Sequence, residues 1–217
     1  MKDNCLWDLN HSIIGDFLRG FDYPHLILPN LNDIISKIIL TLGEDYIQIK
    51  DGVYAHKSAL ISSSAEVLSP CIIGAKTEVR HSAYIRGNAI IGEGVVIGNS
   101  CEVKNAVIFD KAQVPHYNYV GDSIVGYKAH LGAGVILSNL KSDKSQVKYN
   151  FNGQVIESGL KKLGSFIGDG AEIGCNSVLN PGTVIGKNCT VYPLSSVRGY
   201  LPENHIYKTE KTIVKRL

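Results

Sequence analysis

The stretch VRHSAYIRGNAIIGEGVVIGNSCEVKNAVIF, residues 79–109, decides the fold. Val79, Ile85, Ile91, Ile97, Val103 and Phe109 fall six apart in it, and the rhythm extends upstream through Ala55, Ile61, Val67 and Ile73 and downstream to Pro115. Two positions before each of these stands a small or β-branched residue: Ala59, Ala65, Cys71, Thr77, Ala83, Ala89, Val95, Cys101 and Val107, with Gln113 the exception. An amphipathic helix repeats every 3.6 residues and a half-buried strand every two, so neither gives a period of six. Short parallel strands joined by turns, each with one aliphatic plug and one small residue, do. The expected fold is all-β, a parallel solenoid.

Beyond Pro115 the rhythmic positions become Val120, Val125 and Leu131, which reads as two five-residue units with His116-Tyr-Asn-Tyr119 inside the first. A bent wall is the expected consequence. Residues 140–163 carry no rhythm and form an inserted loop. Within it, Val147 to Tyr149 and Gln154 to Ile156 flank NFNG (150–153), a hairpin signal. A second register, Ile167, Ile173, Leu179, Ile185, Val191 and Val197, resumes the solenoid. Three regions follow: a helical N-terminal segment (1–50), the solenoid (51–200) and a C-terminal strand or tail (201–217). In the first, residues 12–18 and 30–43 show helical spacing separated by Pro24 and Pro29, and 46–49 alternate like a strand. Trp7, Phe17, Phe21 and Tyr23 are expected to pack on the first coil or on a neighbouring subunit. Ile206 to Leu217 alternates as a terminal strand whose lysines could meet CoA phosphates or keep an edge soluble.

The 22 basic and 20 acidic residues nearly cancel, so composition points to neither nucleic acid nor membrane. The first ten residues lack the apolar core of a signal peptide and no run is long enough to span a bilayer, so a cytoplasmic location is expected. Five cysteines without a CxxC spacing, three of them (Cys71, Cys101, Cys189) at small-residue positions, read as buried thiols.

Arg86 and Lys104 each follow a plug and lie three hexads apart; in a solenoid of three hexads per coil they stack on one corner of successive coils, about 4.8 Å apart. Cations at that spacing repel unless an anion lies between them or both splay into water. Followed through the break, the same corner returns at Val120 and Leu137, with Asn139 near it and His116 and Tyr119 on the face leading in. Such a corner suits a phosphate-bearing substrate and a general base.

The hexad pattern resembles the hexapeptide-repeat acyltransferase superfamily, which implies a left-handed parallel β-helix with three hexads per coil. More narrowly, Lys104, HYNYVGD (116–122) and LGAGVILSN (131–139) resemble the acetyltransferase domain of bifunctional sugar-1-phosphate nucleotidyltransferase/acetyltransferases. The resemblance implies His116 as the base that deprotonates the amine of an amino-sugar 1-phosphate, glucosamine or galactosamine 1-phosphate. It implies Arg86 and Lys104 as phosphate ligands and Tyr119 and Asn139 as sugar ligands. Acetyl-CoA would lie along the solenoid edge past Cys175 and Pro193, in a homotrimer with sites between subunits. The extended loop is similar to that of archaeal-type members, matching Lys148 by spacing and Lys144 one residue out of register. His130 stands where the family has a sugar-binding asparagine and Leu140 where bacterial members have tyrosine, so the acceptor could differ. The nucleotidyltransferase GxGTR loop is absent, so no uridylyl transfer is expected.

Three rivals remain. The acceptor could instead be a nucleotide-linked sugar or a hydroxyl. The chain could also be a non-catalytic assembly or regulatory subunit docking through its helices. A zinc site at His81, His116 and His130 is the third, since γ-class carbonic anhydrases share this solenoid; their close His-x-x-x-x-His pair is missing, so no metal is expected.

Overall fold

The computed structural model describes residues 6–151 and 153–216. Residues 1–5, Asn152 and Leu217 lie outside the described residues. The chain winds into a three-walled β-solenoid. Wall A has nine strands, wall B nine and wall C seven, and successive coils pair in parallel within each wall. The plugs form one continuous core: Ile73, Ile91, Ile108, Val125, Ile167 and Ile185 from wall A, Ile97, Val114, Leu131 and Ile173 from wall B, Ile85, Val103, Val120, Leu137 and Leu179 from wall C. Each such buried aliphatic contributes about 1.5–3 kcal/mol.

The register corrects the expected one at a single step. Ile108, not Phe109, aligns with Ile91, and Val114, not Pro115, with Ile97. The five-residue steps are Val103 to Ile108 and Val120 to Val125, so residues 116–119 lie in a full-length unit. Both short steps fall at the corner from wall C to wall A, where Asn105 and Asp122 turn the chain with left-handed φ of 48° and 47°. The missing residue is thus absorbed in a corner, and the wall strands on either side stay in parallel register, unlike the wall bulge expected. Ala106 and Ala112 now occupy the small position, so the Gln113 exception disappears. The same corner carries the 140–163 insertion, whose neck is closed by a bridge between Leu140 and Lys162.

The outer face of wall A explains Phe109. Ile72, Ile90, Val107, Phe109, Ile124, Phe166 and Val184 point away from the solenoid axis into a second core. Covering it are helices Gly15–Arg19 and Leu31–Ile39, 3-10 turns at Leu9–His11 and Pro24–Asn30, and the hairpin of Lys148–Phe151 with Gln154–Glu157. The N-terminal segment therefore packs along many coils, not on the first alone. Trp7 Nε1 donates to Ile167 O at 2.7 Å and its ring lies 6.0 Å from Phe109. His25 Nδ1 meets Tyr149 Oη at 2.8 Å, joining this segment to the inserted hairpin. Residues 206–216 form two strands and not one: His205–Thr209 continues wall B, with Tyr207 buried in the core, and Thr212–Lys215 folds back on it. No described helix is long and apolar enough to cross a membrane.

Candidate active site

Two ridges flank wall C. On the corner leading to wall A, Arg86 and Lys104 follow paired plugs Ile85 and Val103, as their spacing predicts. Their charges, however, are already met. Arg86 donates to Glu102 at 2.8 Å, and Lys104 Nζ lies 3.5 Å from Asp122 Oδ2. Carboxylates from the following coil relieve the repulsion that the sequence alone left to a bound anion or to water. The Arg86 pair is half-exposed, so it is worth little and an anion can compete for the guanidinium.

Tyr119 lies between, one coil on, paired with Glu102. Its ring folds over Gly121, where a Cβ would stand 2.5 Å from Tyr119 Oη. Burial, then the Asp122 charge, raises the Tyr119 phenol above its ordinary pKa, so it stays protonated. Asn139 Nδ2 donates to Tyr119 Oη at 3.1 Å and to Asp122 Oδ2. Arg86, Lys104, Tyr119 and Asn139 thus occupy one corner. Asp122 lies at its centre and was not among the expected site residues, although it closes the HYNYVGD motif; its type fitted a turn.

The other ridge, from wall B to wall C, carries His116. A backbone ladder runs along it: Tyr117 N to Asn99 O, Gly134 N to His116 O, Asn176 N to Ala133 O and Leu194 N to Cys175 O. Asn99, His116, Ala133, Cys175 and Pro193 therefore form a column with about 4.8 Å between coils. His116 is exposed, and no described residue is bonded to its imidazole. Buried Asn118 fixes its backbone: Oδ1 accepts from His116 N at 3.0 Å while Nδ2 donates to Gly132 O at 2.7 Å. Cys175 is exposed, and Tyr117, Val178, Tyr192 and Leu194 expose apolar surface along the same side.

The remaining candidates lie apart in a single chain. His130 projects from wall B and its Nδ1 lies 2.9 Å from Glu172. Lys148 pairs with Glu157 across the hairpin at 2.6 Å. Lys144 sits in the loop with φ 57° and makes no ion pair with a described residue. His81 shares the His116 ridge two coils away, and no group of three or more potential metal ligands occurs among the described residues. Cys71, Cys101 and Cys189 are buried and free, and burial pushes the Cys71 thiol up to about 12.

A coiled wall of hexads bearing a polar corner and a histidine ridge defines a hexapeptide-repeat transferase. Family comparison agrees: the family described as bacterial transferase hexapeptide (six repeats) matches residues 164–199, and that described as GMPPB C-terminal domain matches 67–156. YaiX of Escherichia coli K12, described as an uncharacterized acetyltransferase, is 33% identical over 81% of this chain and 81% of its own. The chain belongs to the hexapeptide-repeat acyltransferase superfamily. A bifunctional sugar-1-phosphate nucleotidylyltransferase/acetyltransferase of Sulfurisphaera tokodaii is 39% identical over 75% of this chain and 41% of its own. Bifunctional protein GlmU of Methanococcus maripaludis S2 is 32% identical over 95% and 52%. The chain thus spans about half the length of these bifunctional relatives. Among solved structures, the acetyltransferase domain of PglB from Neisseria gonorrhoeae, in complex with acetyl coenzyme A, aligns over 88% of this chain and 76% of that one, with 14% identity and a TM-score of 0.36.

Proposed function

We propose that this chain transfers acetyl from acetyl-CoA to the amine of an amino-sugar 1-phosphate, in synthesis of a UDP-N-acetyl-sugar precursor, as a homotrimer. The observation that carries the reading is the division between the two edges of wall C, with Arg86, Lys104, Tyr119 and Asn139 on one and an unencumbered imidazole beside an apolar strip on the other. Arg86 and Lys104 take the phosphate, Tyr119 and Asn139 the sugar, and Cys175 and Pro193 border the donor. Acetyl-CoA supplies an activated thioester carbonyl. The amine attacks that carbon, a C–N bond forms, and His116 accepts the proton leaving nitrogen; imidazole suits this task near neutral pH. As the C–S bond breaks, the CoA thiolate takes a proton from the His116 imidazolium and leaves as the thiol, so the base is returned neutral. The bifunctional relatives, whose printed names pair sugar-1-phosphate chemistry with acetyl transfer, support this assignment.

Within one chain His116 and the Lys104 corner stand at opposite edges of wall C, on the order of 15 Å apart at about 3.3 Å per residue. The amine and phosphate of the acceptor lie on adjacent carbons. A base from a neighbouring copy closes that gap, which favours sites between subunits and leaves room for His130, Lys144 and Lys148 to contribute across the interface.

A second reading, transfer to a nucleotide-linked sugar, is favoured by one feature. A crevice of about 280 Å³ beside Asn139 is lined by Ser138, Leu140, Asn180, Arg198 and the Lys141–Asp143 ion pair, space for a larger acceptor with Arg198 at its wall. Thiol release from acetyl-CoA with glucosamine 1-phosphate, galactosamine 1-phosphate and UDP-glucosamine, using wild type and His116→Ala, tests both. Turnover of a sugar phosphate that the variant loses is expected; turnover of the nucleotide sugar alone selects the second reading. No turnover and no acetyl-CoA binding returns the chain to an assembly role.

A further inference from the structure

The side chain of Asp122 is only 7% exposed, yet it carries a charge at the corner where the acceptor is placed. Three donors converge on it. Oδ1 accepts from Asn105 Nδ2 at 2.8 Å, and Oδ2 accepts from Asn139 Nδ2 and lies 3.5 Å from Lys104 Nζ. An ionised carboxylate only accepts, so the Asn139 amide must face it nitrogen first; the flipped amide would oppose two oxygens. The same Nδ2 reaches Tyr119 Oη at 3.1 Å, so both amide hydrogens are used. What Asn139 retains for a ligand is its carbonyl oxygen. Tyr119, accepting from Asn139, keeps its own hydroxyl proton to donate.

We infer that Asp122 is a positioning residue of the acceptor site: it holds Asn139 with Oδ1 presented to an N–H or O–H of the acceptor, and holds Lys104 at the corner for the acceptor's anionic group. The inference rests on the acceptor site proposed above and sharpens it. The ligand it selects carries a hydrogen-bond donor close to an anion. An amine N–H or hydroxyl O–H of the acceptor meets a carbonyl dipole whose amide is held by a carboxylate, which fixes the direction of that hydrogen bond.

The competing account is that Asp122 merely turns the corner at φ 47°. The preceding coils settle how to separate the two, because Asn88 (φ 46°) and Asn105 (φ 48°) hold the equivalent turn. Asparagine serves that turn as well as aspartate does. Asp122→Asn therefore preserves shape and turn while removing the charge that faces Lys104 and strengthens the hydrogen bond from Asn139.

The experiment combines calorimetric titration with glucosamine 1-phosphate, thiol-release kinetics and thermal unfolding on the full chain. Asp122→Asn is expected to bind the sugar phosphate about ten-fold or more weakly and to raise its KM alike, the scale of one charge-assisted hydrogen bond. The KM for acetyl-CoA and the unfolding midpoint should stay near wild type. Wild-type sugar-phosphate binding by the variant overturns the inference. So does a loss shared equally by acetyl-CoA KM and unfolding midpoint, which marks a purely structural residue. Asp122-dependent binding with no thiol release by wild type leaves this inference standing and defeats the acetyl-transfer reading. Thiol release indifferent to the substitution does the reverse, and a wild type that neither binds nor turns over defeats both.

Discussion

Mixing two crippled variants tests the intersubunit site quantitatively. His116→Ala removes the base from one edge of wall C and should cost about 10²-fold or more in kcat. Lys104→Met removes a phosphate ligand from the other edge and should cost about ten- to a hundred-fold at low acceptor concentration. The two positions lie on the order of 15 Å apart in one chain, at about 3.3 Å per strand residue. If each site takes His116 from one subunit and Lys104 from its neighbour in a cyclic trimer, a site is intact when a His116→Ala chain is followed by a Lys104→Met chain. Random assembly of equal amounts makes that about one site in four, so co-expressed variants should regain about 25% of wild-type turnover. The assay is thiol release from co-expressed protein, compared with the same variants purified separately and combined without subunit exchange. Recovery no greater than that of the unassembled mixture would falsify the shared site and place all groups within one chain.

Other expectations follow from particular contacts. Gly121→Ala puts a methyl 2.5 Å from Tyr119 Oη, so the ring must leave Asn139; acceptor KM should rise several-fold with acetyl-CoA KM unchanged, read by steady-state kinetics. Gly98→Ala places Cβ 1.5 Å from Pro115 O, a backbone atom of the next coil, and soluble expression should be lost. His25→Phe leaves the buried Tyr149 hydroxyl without its partner and should destabilise by about 1–3 kcal/mol in thermal unfolding. Burial lowers the pKa of His25 from 6.5, so the unfolded chain binds its proton first. The His25 contribution is present above that value and is lost as pH falls below it, and the corresponding loss of stability should be absent in His25→Phe. Glu102→Gln frees Arg86 from an exposed pair and should lower acceptor KM slightly without shifting the unfolding midpoint.

The hexad rhythm determined the solenoid, because each six-residue unit supplies one aliphatic plug and one small residue; that every third unit returns to the same wall came from the family resemblance. It also placed Arg86 over Lys104, since both sit one residue beyond paired plugs. What it left undecided was which of two neighbouring apolar residues points inward at Ile108-Phe109 and Val114-Pro115. Wall A is apolar on both faces, its outer side covered by the N-terminal helices and the inserted hairpin, so alternation carries no signal there. The shortened corner at Asn105 set the register instead, through a left-handed turn that any Asn in the chain could have signalled. Likewise Asp122 reads in sequence as one more turn residue. Only the winding that brings Lys104 and Asn105 from the preceding coil and Asn139 from the following one onto its two oxygens makes it the centre of the corner, because convergence of donors is a property of the fold and not of spacing along the chain.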